Sequence, residues 1–343
     1  MNQSNRPRAP KLPLPAGIVL LLAALFGQIA NVHAASAVSG HTDISLRVDG
    51  LERHALLHLP SRENDNAGAQ QTVPLVIMLH GYGGNSSYSM RETRWSAKAD
   101  VERFAVVYPD ATRRYPDQAP SLLNNPQAWN DGSGRFHAPG REVNDVEFIR
   151  RLIAELTKQH PIDPRRVYVT GFSNGASMAL RVGAELADRV TAIAPVAGAS
   201  WLDSVQPVRG ISLMYLTGTA DPLNPLEGGV PRLGRMPRSQ NSGDSASPTS
   251  KPKNSLEVLM AQWSHALRCA TAPTADATVN GVRTRRYSAC RDEAEVAFVT
   301  IESLGHVWAG GASQLPEAMV GKPTDKLNAT DAIWDFFRAK SLP

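Results

Sequence analysis

Gly171-Phe172-Ser173-Asn174-Gly175 sets a serine between two glycines, after the apolar run Val167-Tyr168-Val169 and before small residues with helical spacing. A strand, a tight turn and a helix in that order lift a side chain to the helix N-terminus, where backbone N–H groups face developing negative charge. Ser173 is the candidate nucleophile; an ordinary turn with a capping serine is the bland alternative. A serine hydroxyl attacks only when a base removes its proton. Of the nine histidines, His306 in Ser303-Leu304-Gly305-His306-Val307-Trp308 is the only one C-terminal to Ser173 that falls just past an expected strand. His265 falls within an expected helix, and His80 precedes Gly81, a setting that suits an anion-binding loop better than a base. The base needs a carboxylate to fix its tautomer. Asp221, reached from Ile211–Leu216 through Thr217-Gly218-Thr219-Ala220, is the candidate, with Asp203 as fallback. The oxyanion of acyl transfer needs two N–H donors. Asn174 supplies one, and His80-Gly81-Tyr82-Gly83-Gly84 the other, assigned to Tyr82.

These residues act together only if the fold gathers them. Asp43–Val48 and His54–Leu59 read as strands joined at Asp49-Gly50, with the histidines of 54–58 alternating along an edge strand. Val73–Leu79, Phe104–Tyr108, Arg166–Thr170, Thr191–Val196, Ile211–Leu216 and Glu295–Ile301 read as buried strands. Val143–Gln159, Asn174–Leu186, Asn254–Leu267 and Asn328–Ala339 read as helices. Continuous apolar strands separated by helices predict an α/β fold with a mostly parallel sheet covered on both faces. Such sheets bind ligands beyond the carboxyl ends of their strands, and the candidate residues all follow strands. Thr112–Arg141 reads as loop, and Pro231–Lys253, rich in Ser, Pro, Gly and Arg, as a mobile insertion.

Apolar residues make up 42% and charged ones 20% of the 343 residues, the balance of a globular protein. Three of the positive charges behind the net +4 (Arg6, Arg8, Lys11) lie in the first 34 residues, and the remaining Lys and Arg are scattered. No nucleic-acid footprint results. The basic start, the apolar run Ala16–Phe26 and Val32-His33-Ala34 predict a secretory signal at residues 1–34, cleaved after Ala34. The apolar run is shorter than the ~20 residues of a membrane span, so no stable anchor is expected. Cys269 and Cys290 are expected to form a disulfide in that oxidising compartment. No cluster has metal-ligand spacing, and neither metal nor cofactor is expected. Residues 35–343 are expected to form one domain, with no second module after the closing helix.

The assembled motifs resemble secreted esterases of the polyhydroxybutyrate depolymerase and feruloyl esterase type, within the α/β-hydrolase superfamily. Leu79-His80-Gly81, Trp129-Asn130, Ile162-Asp163-Pro164-Arg165-Arg166-Val167-Tyr168, Gly171–Gly175, Gly218-Thr219 with Asp221, and Gly305-His306 with Trp308 carry the resemblance. It implies a serine ester hydrolase with Ser173, Asp221 and His306 as the triad, the trio and chain order chosen above. It also marks departures. Where many relatives carry a cysteine pair, this chain has Tyr82 and Ala128; the family's Pro after Gly-His-x-Trp is Ala309, and its second Gly after the nucleophile is Ala176. His80, Trp129 and Trp308 are candidate pocket residues, the indoles as stacking surfaces or as packing. The substrate is a small or polymeric ester of undetermined acyl group. Two alternatives stay open, a peptidase for small peptides and a non-catalytic binding protein on the same scaffold.

Overall fold

Val73–Leu79, with the sequence Val-Pro-Leu-Val-Ile-Met-Leu, has no polar side chain to turn toward water, and from Pro74 onward it is buried. Its side chains alternate between two cores. Leu75, Ile77 and Leu79 enter one, Val76 and Met78 the other. A strand buried on both faces belongs inside a covered sheet. The computed structural model describes residues 40–60, 71–115, 118–119, 121, 124–135, 143–229, 252–313 and 315–343. The expected signal (1–34) and nearly all of the 231–253 insertion lie outside the described residues.

The strands are β1 (His41–Val48), β2 (Leu51–His58), β3 (Val73–Leu79), β4 (Ala105–Pro109), β5 (Thr112–Arg113), β6 (Gln127–Ala128), β7 (Ile162–Phe172), β8 (Ala192–Val196), β9 (Ser212–Gly218), β10 (Ala275–Val279), β11 (Val282–Tyr287) and β12 (Val296–Ile301). All but β5 and β6, which pair with each other, join one sheet in the order β1-β2-β4-β3-β7-β8-β9-β12-β11-β10. The six strands from β4 to β12 run parallel, and antiparallel pairs finish both edges. The helices are α1 (Ser86–Thr93), α2 (Trp95–Glu102), α3 (Asp145–Gln159), α4 (Asn174–Glu185), α5 (Leu256–Ala266), α6 (Glu317–Val320) and α7 (Ala329–Phe337). Residues of α3, α4 and α5 pack into one core, and those of α1, α2, α6 and α7 into the other. This is the predicted mostly parallel sheet with helices on both faces. Among the described residues no helix is long and apolar enough to cross a membrane.

Two expectations need correction. Strand β2, which holds His54 and His58, is not an edge: β1 pairs with it on one side and β4 on the other. The 112–141 stretch read as loop contains the short β5–β6 pair. The β10–β11 hairpin, α1, α2 and α6 have no counterpart in the sequence reading.

Register sets the functional edge. Leu79 is level with Gly171, Phe172 with Val196, Val196 with Leu216, and Gly218 with Ile301. The chain therefore leaves β3, β7, β8, β9 and β12 along one rim, and residues 80–84, 173, 198–201, 221 and 306 follow it.

Candidate active site

Ser173 joins the end of β7 to the start of α4 with φ 55° and ψ −116°, a backbone strained for any side chain. The surroundings over-determine it. A Cβ on Gly171 would lie 2.4 Å from the Gly175 carbonyl oxygen, and one on Gly175 would lie 2.2 Å from the Leu79 carbonyl oxygen. No side chain fits either position, so both must be glycine for α4 to start this close to β3. The Ser173 N–H donates to Val196 O at 2.9 Å, tying the turn to β8. Ser173 is left half-buried at the head of α4.

His306 follows β12, and Gly305 lets the chain press against residues 320–321, where a Cβ would meet Val320 O at 2.3 Å. The imidazole is 5% exposed and the Asp221 carboxylate fully buried. His306 Nδ1 lies 2.7 Å from Asp221 Oδ2, and Nε2 lies 2.9 Å from Ser173 Oγ. An ionised carboxylate only accepts, so Nδ1 carries the hydrogen and Nε2 accepts from the serine hydroxyl. Asp221 Oδ1 accepts from the Leu223 and Asn224 amides, both at 2.8 Å. Those two bonds aim its second oxygen at the imidazole. Phe172 packs on the His306 ring at 4.9 Å between centroids. Asp203, the fallback acid, is exposed.

Residues 81–84 form a turn closed by Gly84 N–H donating to Gly81 O at 3.0 Å, with Tyr82 exposed on it. A Cβ on Gly81 would lie 3.5 Å from Ser173 Cβ, so this turn abuts the serine. Asn174, the first residue of α4, has an N–H with no acceptor in its own helix.

The three candidate pocket residues sit elsewhere than expected. His80 and Trp129 are fully buried and Trp308 is 2% exposed, so none presents a face that a substrate reaches. Trp308 Nε1 donates to Thr330 Oγ1 at 3.0 Å, locking the loop after His306 onto α7. His80 Nδ1 donates to Gly81 O at 2.7 Å, and its Nε2 accepts from the Ala111 amide at 3.0 Å. Both nitrogens are committed to the neutral ring, and burial pushes its pKa below the ordinary 6.5. These residues support the rim from beneath.

Several supporting contacts were not foreseen from the sequence. The Asn174 side chain donates to Asp131 Oδ2 at 2.9 Å and accepts from the Trp129 amide at 2.8 Å. Asn224 Nδ2 donates to Tyr215 Oη at 2.9 Å. Lys253, at the base of the 231–253 insertion, donates to Leu223 O at 2.6 Å and Asn224 Oδ1 at 3.2 Å, and burial lowers its pKa to about 8. A signal existed for Asn224, since Asp-x-x-Asn after a strand is turn chemistry. None existed for Lys253. Among the described residues no group of three or more His, Cys, Asp or Glu is placed to hold a metal ion.

The model of the family described as esterase PHB depolymerase matches residues 58–236, more than half of the chain. A putative esterase of Nocardia uniformis subsp. tsuyamanensis, NocK, is 29% identical over 276 residues, covering 77% of this chain and 73% of the relative. Feruloyl esterase B of Piromyces equi is 26% identical over 278 residues, 80% of this chain but 43% of the relative. An acetyl xylan esterase from Aspergillus awamori shares the fold with a TM-score of 0.51 at 13% identity, over 78% of this chain and 94% of that one. The match runs through the serine turn and the Asp221 loop in the order in which the sheet presents them, and the chain belongs to the esterase PHB depolymerase family as a carboxylic ester hydrolase.

Proposed function

We propose that Ser173, His306 and Asp221 are the catalytic triad of this hydrolase, and that the amides of Tyr82 and Asn174 hold the oxyanion. The reading rests above all on the continuous chain from Ser173 Oγ through His306 to Asp221, at 2.9 and 2.7 Å. Ser173 Oγ attacks the ester carbonyl while His306 Nε2 takes its proton. The carbonyl π pair moves onto oxygen, where the N–H groups at the head of α4 and in the 81–84 turn stabilise it. As the tetrahedral centre collapses, the bond to the alkoxy oxygen breaks and His306 returns the proton to the departing alcohol. Water attacks the acyl-enzyme by the same route, leaving the acid and a free Ser173. Asp221 keeps the productive tautomer and stabilises the imidazolium throughout.

Ser173→Ala abolishes p-nitrophenyl acetate hydrolysis in this reading while leaving the melting temperature unchanged; retained turnover in pure variant overturns it. For the acyl group we propose acetyl or feruloyl esters on polysaccharide, or hydroxyalkanoate oligomers, the classes named for the family and for its similar proteins. Rates on acetylated xylan, methyl ferulate and hydroxybutyrate oligomers discriminate among them, and equal indifference to all three sinks the proposal. We also propose export through cleavage after Ala34, with residues 35–343 acting as one hydrolase domain. The Cys269–Cys290 bridge supports it, since disulfides persist in oxidising compartments. An exported protein that does not begin at Ala35 contradicts that cleavage.

A further inference from the structure

We infer that Trp129 is a positioning residue that holds the two proposed oxyanion amides at a fixed separation. The inference rests on the acyl-transfer reading above. Tyr82 and Asn174 lie on different elements, one in the turn after β3 and the other at the head of α4, and no covalent path of useful stiffness links them. Oxyanion donors must sit about 2.7–3.1 Å from the developing charge, and a misplacement of about 1 Å costs on the order of a hundredfold in rate. Something must fix the gap between the two halves.

The β6 segment spans it. On one side the Trp129 indole N–H donates to His80 O at 2.9 Å, and Gln127 O accepts from the Gly83 amide at 2.8 Å. These two bonds grip the 80–84 turn at both ends. On the other side the Trp129 backbone N–H donates to Asn174 Oδ1 at 2.8 Å, and Asn174 Nδ2 returns a bond to Trp129 O at 3.2 Å. One residue thus holds the carbonyl two positions before Tyr82 and the side chain of Asn174. Trp129 and His80 have no exposed surface and Asn174 is 4% exposed, so water does not compete for these bonds. The residue type follows from the task. An indole N–H only donates, and it sits on the edge of a long rigid ring, far enough from its own backbone to bind a second element. The same burial separates this role from substrate stacking.

The test compares Trp129→Phe, which keeps an aromatic ring but loses the donor, with Asn174→Ala, which keeps the backbone N–H but loses the side-chain grip. Both are assayed on p-nitrophenyl acetate and against a phenylboronic acid, whose tetrahedral serine adduct occupies the oxyanion site. Each variant is expected to lower kcat about ten- to a hundredfold, hold KM within about twofold, and weaken boronate affinity by the factor lost in kcat. Because both break one clamp, the double variant is expected to be no worse than the poorer single one. Unchanged kcat with raised KM, unchanged boronate affinity, or losses that multiply would each overturn the inference. If Trp129→Phe does not fold, Asn174→Ala alone decides it by the kcat and boronate readouts. Failure of the underlying reading looks different: wild type then fails to hydrolyse the ester, or Ser173→Ala retains activity.

Discussion

Side chains at the rim of this protein divide between those whose polar atoms face the proposed reaction and those that use them to hold the rim. His306 and His80 show the contrast. His306 presents Nε2 to the Ser173 hydroxyl, whereas His80 commits both nitrogens to backbone groups and stays neutral. Glu92 is a buried acid with little compensation. It is 2% exposed, its carboxylate accepts one long bond from Tyr88 at 3.4 Å, and burial raises its pKa from the ordinary 4.5 to about 7. The folded state therefore holds a proton that the unfolded chain releases. Its favourable contribution is complete below pH 4.5 and is lost as pH rises through about 7, a swing of about 3 kcal/mol. Glu92→Gln cannot ionise and should not share that loss. Urea unfolding at pH 5 and 8.5 is expected to show the variant gaining on wild type at the higher pH. An equal gap at both would mean that Glu92 does not titrate across this range.

Elements were legible in the sequence where burial writes a pattern. The strands of the parallel core are continuous apolar runs because helices cover both their faces, and their ends are where Ser173, Asp221 and His306 emerge together. The β10–β11 hairpin escaped because it finishes an edge: β10 is exposed along its whole length, so no alternation marks it. Its turn, Asn280-Gly281 with φ 50° and 74°, was the available signal. Helices α1 and α2 escaped for a related reason, since Ser86–Thr93 buries serine, threonine and glutamate alongside a single methionine. Trp129 and Trp308 stayed open between stacking and packing because an aromatic near a site has the same sequence signature in both roles, and their burial decides for packing. Contact between α4 and β3 offers the sharpest test at this scale. A methyl on Gly175 would meet the carbonyl oxygens of Leu79 and His80 at 2.2 and 2.4 Å, and backbone cannot give way as a side-chain tip does. Gly175→Ala should destabilise by about 3 kcal/mol and lower kcat as well, because the carbonyls it pushes precede the 81–84 turn. A variant as stable and active as wild type would show that α4 can shift freely against β3.

Across the described residues, the disulfide and the proposed chemistry occupy opposite ends of the same strand. Cys269 and Cys290, 21 positions apart, are joined by a disulfide. Cys269 follows α5, and Cys290 precedes the short turn leading into the amino end of β12. His306 lies past the carboxyl end of that strand. Six residues of strand at about 3.3 Å each keep the bridge on the order of 20 Å from the imidazole. The neighbouring ties are also at the amino edge: Arg291 N–H donates to Leu267 O, and Gly210 N–H to Asp292 Oδ2, both at 2.7 Å. The bridge therefore restrains how the α5–β10–β11 excursion returns to the sheet, and leaves the rim to the contacts of Trp308, Asn224 and Lys253. A loop of this size stabilises by about 3 kcal/mol, chiefly by restricting the unfolded chain. Cys290→Ser, or reductant added to wild type, should lower the melting temperature by several degrees. At 25 °C, kcat/KM on p-nitrophenyl acetate should stay within about twofold. Activity falling in step with reduction while the protein remains folded would show that the amino edge of β12 is coupled to His306, and the separation of the two ends would be wrong.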